Sequence, residues 1–122
     1  MAGHYKDLIA WQKAMHLVTA LYDATEEFPK RETYSLTDQM RRAAISVPSN
    51  IAEGQAQYSN PQFRHFLRIS RGSLAELEPQ VLIAQRRNYL SESQAAQLLK
   101  RANEVGRILS GLIDSLKQRG AS

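Results

Sequence analysis

Three arginines in one predicted helix are the first candidates for chemistry. Arg64, Arg68 and Arg71 are spaced four and three residues apart, which places their guanidinium groups on one stripe of a helix. Such a stripe could follow a phosphate backbone, and each phosphate contact would add a salt-dependent, sequence-independent term to the affinity. Arg41 and Arg42 in the preceding helix could extend the basic surface. The alternative is a solvated helix face, which any bundle helix needs opposite its apolar face.

A second group of polar side chains follows one face of the preceding helix. Ser46, Ser49 and Glu53 recur three and four residues apart, and Asn50 lies beside them; we call these four residues the polar stripe. It could pack against a neighbouring subunit, or Glu53 could accept hydrogen bonds from an arginine elsewhere in the bundle. The alternative is that the serines and the asparagine satisfy backbone groups freed by Pro48. The spacing leaves these interpretations open.

Few side chains are suited to catalysis or metal binding. The chain has no cysteine, and His4, His16 and His65 are scattered along it. No glutamate has a histidine three residues later, the spacing that di-metal helix bundles use. Nucleophile, phosphate-loop and dinucleotide motifs are also missing from the sequence. We therefore predict a protein without enzyme activity, bound metal or cofactor.

The length and the net charge of the chain limit the number of its domains and the kinds of partner that it can bind. The length of 122 residues fits one domain, spanning 1–122. Sixteen Lys and Arg outweigh twelve Asp and Glu, giving a net charge of +4, which favours an anionic partner. The longest apolar runs are far shorter than the roughly 20 residues that cross a bilayer, and the N-terminal segment does not resemble a secretory signal. We expect a cytoplasmic protein that does not bind membranes.

Apolar residues recur at helical spacing in four segments of the sequence. The predicted helices cover roughly residues 6–27, 36–55, 60–87 and 91–119. The first helix has two adjoining apolar stripes, formed by Leu8, Trp11, Met15, Val18 and Tyr22 and by Ala14, Leu17 and Leu21. We expect Trp11, Phe63 and Phe66 in the core. Four amphipathic helices with short connections predict an all-α fold, an up-down-up-down antiparallel four-helix bundle.

Helix boundaries and two prolines add detail to this prediction. Three predicted helix starts share a serine followed three residues later by an acidic or amide side chain, and the pairs are Ser35 with Asp38, Ser59 with Gln62, and Ser91 with Gln94. Gly120 is a natural stop for the last helix. Pro48 and Pro79 fall inside the second and third helices, where we expect each to bend the axis. The alternative is that Pro48 splits the second helix in two.

Several segments together resemble a known family. They are LIAWQKA at 8–14, FPK at 28–30 with Glu32 and Tyr34, QMRRAA at 39–44, SVPSNIAEG at 46–54, Phe63, Phe66 and Leu67, and GSLAEL at 72–77. The chain resembles the small bacterial four-helix bundle proteins encoded within intervening sequences of 23S ribosomal RNA genes. That family is similar in fold to the accessory protein of diversity-generating retroelements, which binds nucleic acid and a reverse transcriptase. Pro79 departs from the family pattern.

The resemblance implies a homopentamer with a basic surface or channel. Together with the arginines, it predicts a non-enzymatic oligomeric accessory protein. In this prediction Arg41, Arg42, Arg64, Arg68 and Arg71 neutralise phosphates of structured RNA or of an RNA–DNA hybrid. The alternative is a homo-oligomeric adaptor or scaffold that docks a protein such as a reverse transcriptase and does not itself bind nucleic acid.

Overall fold

The computed structural model of the chain describes residues 5–117. Its four α-helices are α1 (Ile9–Thr25), α2 (Leu36–Gln55), α3 (Asn60–Arg86) and α4 (Glu92–Ser115). Short 3-10 turns at Tyr5–Asp7 and Lys30–Glu32 precede α1 and α2. No described residue forms a strand. The predicted helices are therefore confirmed, although α1 begins at Ile9 and not near residue 6 because the chain before it forms a 3-10 turn.

The four helices close into one antiparallel bundle. Each helix packs against the next in sequence, and α1 also packs against α4. Across the seam between α2 and α3, Ser46 meets Ser73, and Val47 meets Ser70. The residue number falls on α3 as it rises on α2, so these two helices run in opposite directions. The predicted up-down-up-down four-helix bundle is confirmed.

The buried face of α1 corresponds to one of its two apolar stripes. Ala14, Leu17 and Leu21 are fully buried, as is most of the apolar surface of α2 that faces them. In the other stripe, Met15 and Tyr22 remain 38% and 36% exposed. Trp11, Phe63 and Phe66, which we expected in the core, are only half-buried at its margin. Part of the predicted apolar face of α1 therefore lies at the surface.

The seam between α2 and α3 depends on small side chains. A Cβ added at Gly54 would lie 2.8 Å from Phe66 Cβ and 2.9 Å from Phe63 Cδ1, closer than packed atoms tolerate. The buried Ser70 hydroxyl donates to the carbonyl oxygen of Val47 at 2.8 Å. Glycine and serine thus let the two backbones approach and fix their register.

Neither proline interrupts its helix. α2 continues through Pro48 and α3 through Pro79, so the alternative in which Pro48 splits the second helix is wrong. The bend expected at each proline stays a prediction. α3 ends where Asn88 adopts a left-handed conformation with φ of 64°, and the Tyr89 N–H donates to the Ala84 carbonyl at 2.8 Å. This is the hydrogen-bond pattern of a Schellman helix stop, and asparagine tolerates the left-handed conformation that it needs.

Two of the three predicted serine caps are confirmed. The Ser59 side chain accepts from Gln62 N–H, and Ser91 with Gln94 forms a complete capping box. The Ser35 prediction is wrong, because its hydroxyl donates to the Glu32 carboxylate at 2.7 Å and does not cap α2. α4 ends at Ser115, and the predicted stop at Gly120 lies outside the described residues.

Glu32 joins the two connectors at this end of the bundle. Its carboxylate accepts hydrogen bonds from the hydroxyls of Ser35 at 2.7 Å and Tyr89 at 2.8 Å, and a longer one from the Leu36 N–H at 3.4 Å. The hydrogen bonds from Ser35 and Tyr89 lower the pKa of Glu32 below its usual value. One acidic side chain thus ties the connector before α2 to the connector before α4.

Candidate nucleic-acid interface

Arg64 of α3 has a structural role, because it contacts the end of α4. Its guanidinium donates to the carbonyl oxygen of Leu116 at 2.9 Å, and the side chain is half-buried. That carbonyl lies just past the end of α4, where backbone oxygens have no partner within the helix and a positive charge is favourable. The Arg64 Nε atom is buried without a hydrogen-bond partner among the described residues. The first arginine of the predicted stripe therefore caps a neighbouring helix.

Arg68 and Arg71 remain at the surface of α3. Both side chains are exposed, and Arg68 makes no hydrogen bond or ion pair with any residue in the described range. Arg71 donates to the Ser110 hydroxyl of α4 at 3.3 Å, which is a long and weak contact. These two arginines can reach a ligand without breaking a strong internal interaction.

A groove runs between α3 and α4 beside these arginines, and we call it the α3/α4 groove. Its volume is about 480 Å³. Its apolar floor and walls are formed by Leu74, Ala75, Leu99, Ala102 and Gly106. Its polar lining consists of Arg71 and Ser110 towards one end, Glu78 towards the other, and Arg107 and Asn103 on α4. An apolar floor therefore lies between two arginines on facing helices.

Arg107 was not among the residues predicted from the sequence. One face of α4 nevertheless carries polar side chains at spacings of three, four and three residues, and they are Lys100, Asn103, Arg107 and Ser110. The antiparallel pairing of α3 with α4 brings Arg107 to the same groove as Arg71. The sequence could have revealed the stripe on α4, but only the pairing of the helices shows that it faces the stripe on α3.

Arg41 and Arg42 do not join this surface. Arg41 Nε donates to the Thr25 hydroxyl at 3.0 Å, and its guanidinium lies 4.4 Å from the centre of the Tyr22 ring. These contacts hold it against α1, on the side of the bundle opposite the α3/α4 groove. Arg42 forms an exposed ion pair with Asp38 one turn earlier on its own helix, at 3.0 Å. The five predicted arginines thus separate into different environments.

The four residues of the polar stripe of α2 also lie in two different environments. Asn50 Nδ2 donates to both the carbonyl and the hydroxyl oxygen of Ser46 at 2.9 Å, and the Ser73 hydroxyl donates to Ser46 Oγ at 2.8 Å. Ser46 and Asn50 therefore belong to the seam with α3. Ser49 and Glu53 are exposed, and the Glu53 carboxylate accepts no hydrogen bond from a described residue. An internal arginine partner for Glu53 is not present in this part of the chain.

A second groove lies between α1 and α2, and we call it the α1/α2 groove. Its volume is about 330 Å³. It is lined by Tyr5, Trp11, Met15, Val18, Ile45, Pro48, Ser49 and Ala52. None of these lining residues carries a charge, and Met15 and Ile45 are 38% and 42% exposed. The exposed apolar stripe of α1 forms one wall of this groove.

The described residues include no cluster of three or more acidic or histidine side chains that could hold a metal ion. His16 and His65 are exposed and lie on different helices, whereas His4 is outside the described range. Within residues 5–117, no helix combines the length and the apolar character that a membrane span requires.

Comparison with known proteins identifies the family. The sequence profile of the 23S rRNA-intervening sequence protein matches residues 6–111. The fold is similar to the crystal structure of a Bacteroides thetaiotaomicron protein of unknown function from the S23 ribosomal protein family, with a TM-score of 0.81. The two chains are 19% identical over 89% of this chain and 98% of the other. No curated protein matches the chain. Since the family profile covers most of its length, the chain belongs to the family of 23S rRNA-intervening sequence proteins.

Proposed function

We propose that this protein is a non-enzymatic accessory protein that binds nucleic acid through the exposed face of α3 and α4. The observation that carries the proposal is the convergence of Arg71 and Arg107 on one groove, with Arg68 exposed beside them. The net charge of +4 favours the approach of a polyanion from a distance. The family resemblance also implies a fold similar to that of the retroelement accessory protein, which supports the same function.

The three arginines suit recognition of the phosphate backbone. A guanidinium group donates two parallel hydrogen bonds to a phosphate and remains charged at all relevant pH values. Contacts of this kind position a nucleic acid without reading its sequence. Structured RNA or an RNA–DNA hybrid is therefore the proposed ligand, recognised by its shape and charge.

Fluorescence anisotropy across a salt series tests the proposal. The test protein carries Arg68, Arg71 and Arg107→Gln. The matched control carries Lys30, Arg31 and Arg101→Gln, which removes the same charge from the connector before α2 and from the side of α4 that faces α1. We expect salt-sensitive binding of a structured RNA by the wild type and the control. The first variant should bind weakly, with a salt slope smaller by about three. Absence of wild-type binding at low salt, or equal loss in both variants, would overturn the proposal.

A second proposal concerns self-association, and the apolar α1/α2 groove supports it. Exposed apolar residues that form a continuous surface mark protein contacts more often than isolated ones do. We propose that a second copy of this chain covers the groove, beside Ser49 of the polar stripe. The number of five subunits rests on the family resemblance. An odd ring requires two different contact surfaces on each copy, and exposed Ile69 and Ile83 of α3 are candidates for the other surface.

Native mass spectrometry at micromolar concentration tests self-association. We expect an oligomer for the wild type and a shift towards monomer for Met15→Gln with Ile45→Gln. His16→Gln with Gln39→Asn changes exposed residues of the same two helices that do not line the groove, and it should leave the oligomer intact. A monomeric wild type would remove the proposal. An adaptor function would be favoured if the monomer instead bound one protein stoichiometrically through this groove after nuclease treatment.

A further inference from the structure

We infer that the α3/α4 groove is a binding pocket for one unstacked nucleobase of a single-stranded segment, with the neighbouring phosphates held by Arg71 and Arg107. This inference rests on the proposed function and specifies the nucleic-acid feature that the site takes. It predicts that single-stranded segments, loops or bulges bind more tightly than a regular duplex of the same length.

The dimensions of the groove fit a base with its flanking phosphates. Along α3 the lining extends from Arg71 to Glu78, which corresponds to about 10 Å at 1.5 Å per residue. The volume is about 480 Å³, and the groove is open to solvent. A base paired and stacked in a duplex could not reach the floor between the helices, whereas an unstacked base could.

The floor offers aliphatic contacts for the face of a base. Leu74 is 6% exposed and Ala102 is 7% exposed, so their side chains present a thin apolar surface at the bottom of the groove. Gly106 adds depth because it has no side chain. A Cβ at this position would lie 3.8 Å from Leu74 Cδ1, which is an ordinary contact. Packing therefore does not require a glycine here, in contrast to Gly54.

The polar groups are distributed along the groove in a way that suits a nucleotide. Arg71 and Ser110 lie towards one end, and Glu78 lies towards the other. Asn103 and Glu78 are exposed and make no hydrogen bond with the described residues, so both can bind a ligand. The amide of Asn103 can donate and accept, and the carboxylate of Glu78 can accept from a base amino group. The positive end would hold phosphate, and the acidic end would face the edge of the base.

A protein helix fits this groove less well. Along α3 the lining spans only about two helical turns, and Leu74 and Ala102 on its floor are already buried in the bundle. An acidic peptide attracted by the arginines would meet the Glu78 carboxylate at the other end of the groove. The α1/α2 groove, with its exposed Met15 and Ile45, is the more suitable surface for a protein.

Substitution of the groove glycine tests the inference without changing any charge. Gly106→Leu should fill the floor, and Gly111→Leu is the control, because a Cβ at Gly111 meets nothing within 4 Å. Leucine favours a helix more than glycine does, so both variants should remain folded, which circular dichroism would verify. We measure binding of a single-stranded 12-nucleotide RNA and of a matched duplex. Gly106→Leu should weaken single-strand binding by roughly tenfold or more and leave duplex binding and the salt slope unchanged.

A 2-aminopurine base in the single strand provides a second readout. Its fluorescence should rise on binding to the wild type and to Gly111→Leu, because the base leaves its stack, and should not rise with Gly106→Leu. Single-strand binding that Gly106→Leu leaves intact, but the triple arginine variant abolishes, would overturn the base pocket and leave the proposed function in place. If the wild type bound neither the single strand nor the duplex, both the base pocket and the proposed function would be overturned. If a protein bound the wild type and Gly111→Leu but not Gly106→Leu, that result would overturn the base pocket in favour of protein docking.

Discussion

The two grooves on opposite sides of the bundle arise in the same way and differ in chemistry. Each lies between two adjacent antiparallel helices, with volumes of about 480 and 330 Å³. The α3/α4 groove has Arg71 and Arg107 beside an apolar floor, whereas the residues that line the α1/α2 groove are uncharged. The bundle thus forms a groove on each of these two sides, and the side chains at the edges determine whether a polyanion or an apolar protein surface fits.

The seam between α2 and α3 holds the two sides together, and its disruption should damage both grooves. We expect Gly54→Ala to destabilise the fold by roughly 1 to 3 kcal/mol, because the new Cβ would lie 2.8 Å from Phe66 Cβ. Urea unfolding measures this change. Gly72→Ala on the surface of α3 is the control and should raise stability by up to about 1 kcal/mol, since nothing lies within 4 Å of its added Cβ. Equal stability of the two variants would contradict the close packing of the seam.

The two grooves should act independently. Arg68, Arg71 and Arg107→Gln should weaken nucleic-acid binding by about tenfold or more at low salt and leave the oligomer unchanged. Met15→Gln with Ile45→Gln should shift the oligomer towards monomer and leave the affinity of each subunit for a short RNA within about threefold, because additivity holds for distant sites. Anisotropy and native mass spectrometry on both variants measure the four outcomes. If either variant lost both properties while remaining folded, the assignment of one property to each groove would fail.

Two neighbours on one stripe should respond differently to substitution. Arg64→Gln should cost about 1 kcal/mol of folding stability, because it removes the hydrogen bond to the Leu116 carbonyl past the end of α4. Arg68→Gln should change stability by less than about 0.5 kcal/mol, since the side chain is exposed. Urea unfolding of both variants measures the difference, and hydrogen exchange at the last turn of α4 locates it. A larger effect for Arg68 would contradict the capping function of Arg64.

The smallest effect concerns Glu32 and pH. Its pKa is lowered in the folded protein by hydrogen bonds from Ser35 and Tyr89, so folding favours the ionised form. We expect wild type to be more stable than Glu32→Gln above the ordinary carboxyl pKa of 4.5. This advantage should disappear as the pH falls through the lower folded value. Thermal unfolding of both proteins from about pH 7 to pH 3 measures it, and a constant difference over that range would contradict the lowered pKa.

Local sequence signals predicted most of the fold. Ser59 and Ser91 cap α3 and α4 as their spacing to Gln62 and Gln94 indicated, because a cap needs only residues within one turn. Ser35 has the same local pattern but binds Glu32, which also receives a hydrogen bond from Tyr89, 57 residues away. The prediction failed there because a long-range contact holds the carboxylate beside the serine.

The candidate site was predicted in part, for the same physical reason. Helical periodicity placed Arg64, Arg68 and Arg71 on one stripe, but it could not show that Arg64 would meet Leu116, 52 residues later in the chain. It also could not distinguish the apolar stripe of α1 that faces the core from the one that remains exposed, because each is a regular helical stripe. Arg107 was not predicted because it shares a groove with Arg71 only through the packing of α4 against α3, which the sequence of α4 alone does not show.

The sequence by itself determined the four helices, their caps at Ser59 and Ser91, the antiparallel bundle and the excess of positive charge. These properties follow from residues within a few turns of one another and from summed composition. Only the tertiary structure decided which arginines stay free, which apolar stripe stays exposed and which side chains share a groove. Each of these depends on the register between helices, which is fixed by close contacts such as that of Gly54 with Phe66 and is not encoded in any one segment.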